Sequence, residues 1–431
     1  MSEEKIAPSQ PEEPEPVAAR SSSFNALRYR DFRLLWLGQF VSMTGSQMQL
    51  AAINWHIYIL TNSKLALGAV GLVRVLPIIF CSLIGGVVAD VFDRKKLMLM
   101  TQSLMLLSAG VLATLTASGL ERIWPIYLLT AISSAATAFD NPARQALLPM
   151  LVPARDFPNA VSLWLVVFQI SMIGGPALAG AILSNYGPAL VYALNAASFL
   201  AVIISLLLIR TSGRAERGEN EAASVSFAAL REGLSFVWRT PIIVQTMTLD
   251  FVATFFASAT ALLPVFAVDI LRVGAWGYGI LAASPAIGAV VAAIVMARLG
   301  NVRRQGAVIM ASIAVYGAAT IAFGLSRVFW LSMLMLAVVG ASDTVSTVLR
   351  QTIRQLVTPN YLRGRMTSVN MIFFMGGPQL GEMEAGALAA LIGAPLCVAT
   401  GGVGCLIAVL CSFIWSKNLL RYSRLDASDI A

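Results

Sequence analysis

The stretch Gly86-Val87-Val88-Ala89-Asp90-Val91-Phe92-Asp93-Arg94-Lys95-Lys96 carries five charges in its last seven residues and sits between two apolar runs, 66–90 and 97–118. Each run is close to the roughly 20 residues an α-helix needs to cross a bilayer. A charged turn between two such runs is the pattern of a helix that leaves the hydrocarbon, meets water and turns back, since lipid offers no partner to an open backbone group or a charge.

The pattern repeats in both directions. Breaks at charge, Gly and Pro predict helices at 32–60, 66–90, 97–118, 124–147, 158–184 and 188–209, then at 241–267, 276–298, 306–325, 328–354, 365–391 and 395–416. The chain is 58% hydrophobic and 12% charged, against roughly 25% charged in a soluble domain. The expected fold is an all-α integral membrane protein of twelve transmembrane helices. The bilayer is its solvent, and the net charge of +8 needs no nucleic acid to explain it.

The polar stretch Arg210 to Arg239 separates six helices from six. The expected organisation is a disordered tail at 1–23, a first bundle at 24–209, a linker at 210–239, a second bundle at 240–417 and a tail at 418–431. Within the linker, Phe227 to Trp238 is a candidate interfacial helix. The loops of one side hold few basic residues, namely Lys64, Arg122, Arg272 and Arg327, whereas Arg94, Lys95, Lys96, Arg210, Arg214, Arg217, Arg303, Arg304, Arg363 and Arg365 gather on the other. By the positive-inside rule both termini are cytoplasmic.

Sliding the chain on itself by 206 residues lays Gln39 on Gln245, Arg144-Gln145 on Arg350-Gln351, Pro153 on Pro359, Gly175 on Gly381 and Gly180-Ala181 on Gly386-Ala387. A two-residue gap brings Pro77 onto Pro285 and Lys95-Lys96 onto Arg303-Arg304. Six helices separate equivalent positions, so the halves are parallel repeats, as in secondary transporters that rock about a midplane site.

The run from Gly86 through Asp90 to Arg94 resembles the G-x-x-x-D-R-x-G-R-R signature of the major facilitator superfamily, with Val91 in place of the first base and Asp93 in place of the glycine. Gly174-Gly175-Pro176-Ala177-Leu178-Ala179-Gly180 resembles part of that superfamily's antiporter motif. With Asn25 to Arg33, Arg363 to Asn370 and the run Gly376 to Gly386, the chain is similar to the branch that includes the enterobactin exporters and the macrolide efflux proteins. That resemblance implies two six-helix bundles, a central cavity and export by alternating access, driven by protons. In the family the glycine of the first motif permits close packing, and its acid and bases form a cytoplasmic gate. Here Gly86, Asp90 and Arg94 stand at those positions. Asp140 and Arg144, one turn apart, either join that gate or form a fixed internal pair, and Asp343, Arg350 and Arg354 pose the same choice.

Charges inside membrane helices are costly, and they face a cavity or a partner. Asp250 is either the proton-coupling or substrate-binding acid or the structural partner of a basic side chain. Glu382 and Glu384 point about 200° apart on their helix, and Glu382 is the one expected to face the cavity. Arg74 either binds an anionic substrate or snorkels outward. Gln39, Gln47 and the other polar residues of the first helix are expected to line a wet cavity. His56, the one histidine of the chain, is either a satisfied interfacial residue or a proton relay. Phe168, Phe251, Phe255 and Phe256 are candidates to stack on a flat ligand or to pack.

The four cysteines have no metal-ligand spacing, and the chain has no Walker A, H-E-x-x-H or G-x-S-x-G sequence. No cofactor, metal or enzymatic activity is expected, and ATP-driven transport by this chain alone is not. The expected function is a monomeric secondary active transporter in a bacterial inner membrane, exporting siderophores or lipophilic small molecules against protons. A passive facilitator, a proton symport importer and a membrane-embedded sensor or scaffold are the alternatives.

Overall fold

The computed structural model describes residues 24–213, 235–256, 259–300, 302, 304–359 and 362–415. The expected tails at 1–23 and 418–431 and most of the linker, including all but the last residues of the candidate helix Phe227 to Trp238, lie outside them. Residues 235–239 are helical.

Twelve helices of 16–32 residues account for nearly all the described chain: α1 Arg30–Thr61, α2 Lys64–Val91, α3 Arg94–Ala117, α4 Ile123–Leu147, α5 Phe157–Tyr186, α6 Pro188–Leu208, α7 Pro241–Phe256, α8 Gly274–Leu299, α9 Gln305–Leu325, α10 Phe329–Val357, α11 Arg363–Ile392 and α12 Ala394–Trp415. Among the described residues, eight stretches are long and apolar enough to cross a bilayer, one of which, Ala154–Leu208, holds both α5 and α6. Tight breaks punctuate the series. Asn62 takes a left-handed φ of 49° after α1, and Ser63 then caps α2 by accepting from the Ala66 N–H at 3.2 Å. Asp93 caps α3 by accepting from Lys95 N and Lys96 N at 3.0 and 3.2 Å, which satisfies amides that have no partner within the helix.

The seventh span corrects the sequence reading. A continuous helix at 241–267 is expected, but α7 is described as far as Phe256, and from Ala259 the described chain runs through a 3-10 turn at Ala259–Leu262, one α turn at Leu263–Val265 and a π turn at Phe266–Ile270. Pro264 stands in the first turn of the short α segment, where its missing N–H leaves no helical carbonyl unpaired and a new helical start is favoured.

Packing repeats between the halves. In the first bundle α1 packs on α5 and α6, α3 on α4 and α6, and α2 on α4. In the second, α7 packs on α11 and α12, α9 on α10 and α12, and α8 on α10, the same pairs shifted by six. The bundles meet where α2 crosses α11 and α5 crosses α8, which are also symmetry mates. The internal repeat read from the sequence is therefore a repeat of structure.

The hydrophobic cores differ at the two ends of the molecule. Where α1 begins and α12 ends, here called the terminal end, each bundle keeps its own core: Phe32, Leu35, Met98 and Leu206 in one, Leu249, Ile309, Ile313 and Cys405 in the other. At the opposite, distal end a single core joins Ile57, Tyr58, Leu67 and Tyr192 to Phe266, Tyr278, Ala389 and Cys397.

The N-terminal approach is strapped to the first bundle. Tyr29 donates its hydroxyl to Asp156 at 2.7 Å, and Ala26 N donates to Asn159 Oδ1 at 2.9 Å. Asp31 accepts from Arg210 N, Thr211 N and the Thr211 hydroxyl at 2.8–3.0 Å, so the chain leaving α6 is tied to the start of α1. Partial desolvation opposes ionisation there, but the bonds from Thr211 and Arg210 hold the Asp31 carboxyl below its ordinary range.

Candidate translocation pathway

The two bundle crossings are glycine contacts. A Cβ placed on Gly180 of α5 would stand 2.7 Å from Gly279 Cα and 2.8 Å from Ala275 O of α8, and one on Gly279 would stand 2.6 Å from Pro176 O. A Cβ on Gly386 of α11 would stand 2.6 Å from Gly68 Cα of α2. Small residues let two membrane helices touch backbone to backbone. The antiporter-like residues thus have defined places: Gly175 packs against Gln47 of α1 within its own bundle, and Pro176 and Gly180 form the seam with the other bundle.

Two hydrogen bonds reinforce this distal seam. Tyr58 donates to Asp269 across the bundles, and Tyr278 donates to Ala51 O at 3.0 Å. Substituting Gly180 by leucine is expected to wedge α5 off α8 and block closure at this end, lowering transport about tenfold or more. Gly174, where an added methyl would meet nothing within 4 Å, is the control at which leucine leaves transport near wild type. Initial rates in membrane vesicles distinguish the two, and equal rates would remove the seam from the transport cycle.

Among the described residues, three groups of ion pairs lie inside the helices. In the first bundle Asp140, nearly fully buried, accepts from Thr101 at 2.9 Å, Gln102 at 3.0 Å and Arg144 at 3.1 Å. Arg144 also donates to Gln39 at 3.3 Å and lies 5.0 Å over the Trp164 ring. All these partners belong to one bundle, as the internal-pair alternative requires. Arg94 donates to Ala146 O at 3.3 Å and approaches Met150 Sδ at 3.0 Å, tying the start of α3 to the end of α4. The surroundings of Gly86 and the Asp90 side chain lie outside the described residues.

In the second bundle Arg350, 1% exposed, meets Asp250 at 2.7 Å and Thr347 at 3.0 Å, with Asp343 at 3.9 Å. Arg350 is the repeat mate of Arg144, yet its nearer carboxylate comes from α7, with Asp343 of its own helix farther off. Ser346 and Thr44 occupy the mate positions of Asp140 and Asp250. Asp250 therefore has the basic partner foreseen as one of its two roles.

The third set spans the bundles. Arg74 of α2 and Glu382 of α11 approach to 4.0 Å, with side chains 24% and 15% exposed. Each lies ten residues from the distal end of its helix, about 15 Å at 1.5 Å per residue and so near the middle of a roughly 30 Å hydrocarbon core. Arg74 points inward to this acid and does not snorkel. The bundle contacts named above all lie between this level and the distal end.

The first helix corrects a second expectation. Its polar groups are largely engaged inside its own bundle: Gln39 on Arg144, Gln49 accepting from Asn195 at 2.7 Å, Thr44 with Ser171 at 3.0 Å. His56 joins Tyr192 and Glu121, each at 3.0 Å. Because α1 packs on both α5 and α6, its polar residues face protein, and Gln47 stays half-buried. Phe251 stacks on Phe255 at 5.8 Å and Phe255 meets Phe256 edge-on at 5.2 Å, while a methyl on Gly404 of α12 would come 3.2 Å from Phe256. The sequence did not single out Tyr58, Asp269, Tyr278, Gly68 or Gly279. Glycine spacing in α2 and α8 was a usable signal for the seams, but nothing local names the helix across them.

The family described as transmembrane secretion effector matches residues 21–428. The multidrug efflux pump Tap of Mycolicibacterium fortuitum is 23% identical over 83% of this chain and 88% of its own length. The enterobactin exporter EntS of Citrobacter koseri is 24% identical over 91% of this chain and 93% of its own. Among solved structures, a bacterial homologue of the human lysosomal transporter Spinster, inward-facing and unoccupied, superposes with a TM-score of 0.74 at 14% identity, covering 92% of this chain and 99% of the other. That last likeness is one of fold.

Proposed function

This chain belongs to the transmembrane secretion effector family of the major facilitator superfamily, as a multi-pass membrane transporter and not an enzyme, and from that premise we propose a proton-driven exporter of siderophores or lipophilic small molecules. Similarity to a multidrug pump and to a siderophore exporter supports the direction and the two cargo classes. The basic loops support a bacterial inner-membrane orientation with both termini in the cytoplasm. In that orientation the distal seam faces outward, and the described conformation is the one that loads cargo from inside.

The observation that carries the coupling is the Arg74–Glu382 pair, the charged contact across the bundles at mid-depth. It stands one helical turn from the Gly71 contact with the Gln379 carbonyl and two from the Gly68–Gly386 seam. With Glu382 ionised, attraction to Arg74 adds to the distal closure. Once bound cargo has parted the bundles at the distal end, a proton from outside neutralises Glu382 and holds off the pull of Arg74 while cargo leaves, and the empty carrier then closes with that proton aboard. Return of the proton to the cytoplasm restores the pair. A coupling of about 1–3 kcal/mol between the halves shifts such a balance about 5–150-fold. The Asp140–Arg144 and Asp250–Arg350 pairs each lie within one bundle, hold it rigid and change little as the bundles rock.

The test is transport into inverted vesicles, with a fluorescent lipophilic cation and a catecholate siderophore as separate cargoes. Accumulation of either that follows an imposed inside-acid gradient and collapses with a protonophore supports the exporter and chooses its cargo class. Movement of both down their own gradients alone would place the protein among facilitators.

A further inference from the structure

Helices α9 and α10 flank an open groove of about 520 Å³ whose wall includes Arg304 just before α9, Ala307, Ala311, Ser312 and Val315 from α9 and Val345 from α10, a size within the roughly 300–1,000 Å³ of small-molecule sites. The α10 residues on it, Ala341, Ser342 and Val345, lie about 100–200° round the helix from Asp343, which turns to Arg350 and α7. The groove therefore opens away from the charged interior, and its rim residues Arg304, Ala311 and Val315 are exposed. On a membrane-spanning bundle that perimeter faces lipid.

Three properties define the occupant. First, the wall is apolar in hydrogen-bonding terms, because Ser312 and Ser342 donate their hydroxyls to Val308 O and Val338 O at 2.8 and 2.7 Å. Second, Arg304 to Val315 spans eleven residues, about 16 Å, which is close to one leaflet of the roughly 30 Å hydrocarbon core. Third, the cation stands at the water end of that track, and among the described residues no carboxylate forms an ion pair with it within 4 Å.

The repeat supplies an internal comparison. At the mate positions in α3 and α4, the first bundle has Leu99 for Ala307, Met100 for Val308, Leu104 for Ser312, Leu107 for Val315 and Phe139 for Val345. Ala311 alone on α9 meets a small mate, Ser103. The shared backbone plan does not require an open groove here. It comes from smaller side chains chosen in one half.

We propose that this groove binds an anionic phospholipid of the terminal-side leaflet, one acyl chain lying along Ala307, Ala311 and Val315 and the phosphate at Arg304. Basic pockets between membrane helices attract anionic headgroups in this way. Lipid held here touches α10, the helix that carries Arg350, and so brings a negative charge to the terminal end of the second bundle.

The full chain, purified in mild detergent, is exposed to phosphatidylglycerol or to phosphatidylcholine of the same acyl length and examined by native mass spectrometry. Wild type is expected to retain phosphatidylglycerol several-fold over phosphatidylcholine. Arg304→Gln is expected to abolish the preference, Arg304→Lys to keep most of it, and Ala311→Trp, which fills the groove from its exposed rim, to lose the bound lipid of either kind. Val315→Trp repeats the filling at the outer rim should Ala311→Trp purify poorly. Equal retention of the two lipids by wild type, or retention unchanged by filling the groove, overturns the proposal. Neither readout involves transport, so the result is independent of the exporter reading.

Discussion

Replacing Glu382 by glutamine is expected to abolish gradient-driven accumulation in inverted vesicles while sparing exchange of cargo down its own gradient. Glutamine imitates the protonated acid in shape and lacks its charge, so the pull of Arg74 across the bundles at 4.0 Å is removed at every pH. Accumulation should fall about tenfold or more, in line with a coupling of about 1–3 kcal/mol, and its dependence on pH should flatten. Arg74→Gln should weaken accumulation as well, and the double variant should be no worse than the poorer single one, because the two changes remove one interaction. If Glu382→Gln accumulates cargo with the wild-type pH profile, the pair is not the coupling element.

The Arg350→Ala variant should be the most destabilised of the single changes within the charged sets. Arg350 is 1% exposed and meets Asp250 at 2.7 Å. Removing the cation takes away the nearest partner of a buried carboxylate and leaves only the more distant charge of Arg354 beside it, a cost at the lower end of the about 3–5 kcal/mol for deleting one member of a buried pair. Adding Asp250→Asn should recover most of the loss, since a neutral amide needs no counter-charge. Thermal unfolding of the detergent-solubilised protein reads both steps. The same pair of variants separates the two roles of Asp250. If Asp250→Asn folds stably and still concentrates cargo, the aspartate is a strut between α7 and α10. If it folds stably and loses only accumulation, proton coupling moves from Glu382 to Asp250.

The Asp93 substitution in the first motif shows how a departure from a family pattern can have a local cause. Where the superfamily's signature has a glycine, this chain has an aspartate that caps α3 through Lys95 N and Lys96 N. The arginine that follows is then directed to the end of α4, at Ala146 O. That role emerges only in the folded chain, because the sequence alone presents Asp93 as one more acid in a charged loop.

Hydropathy, charge and repetition by themselves determined the helix count, the division into two bundles and the parallel repeat, because a bilayer imposes one length on every span and excludes charge from it, while the family was legible only through the resemblance of a few short motifs. Those are properties of single segments, and a segment carries them whatever its neighbours are. The tertiary structure decided which segments meet. Gly180 and Gly386 could be aligned as repeat mates from the sequence, but not matched to Gly279 and Gly68. Asp250 and Glu382 look alike as lone acids in apolar helices, yet one is closed inside a bundle on Arg350 and the other reaches across to Arg74. The physical reason is that a charge in lipid must find a partner, and the chain does not write down which helix brings it.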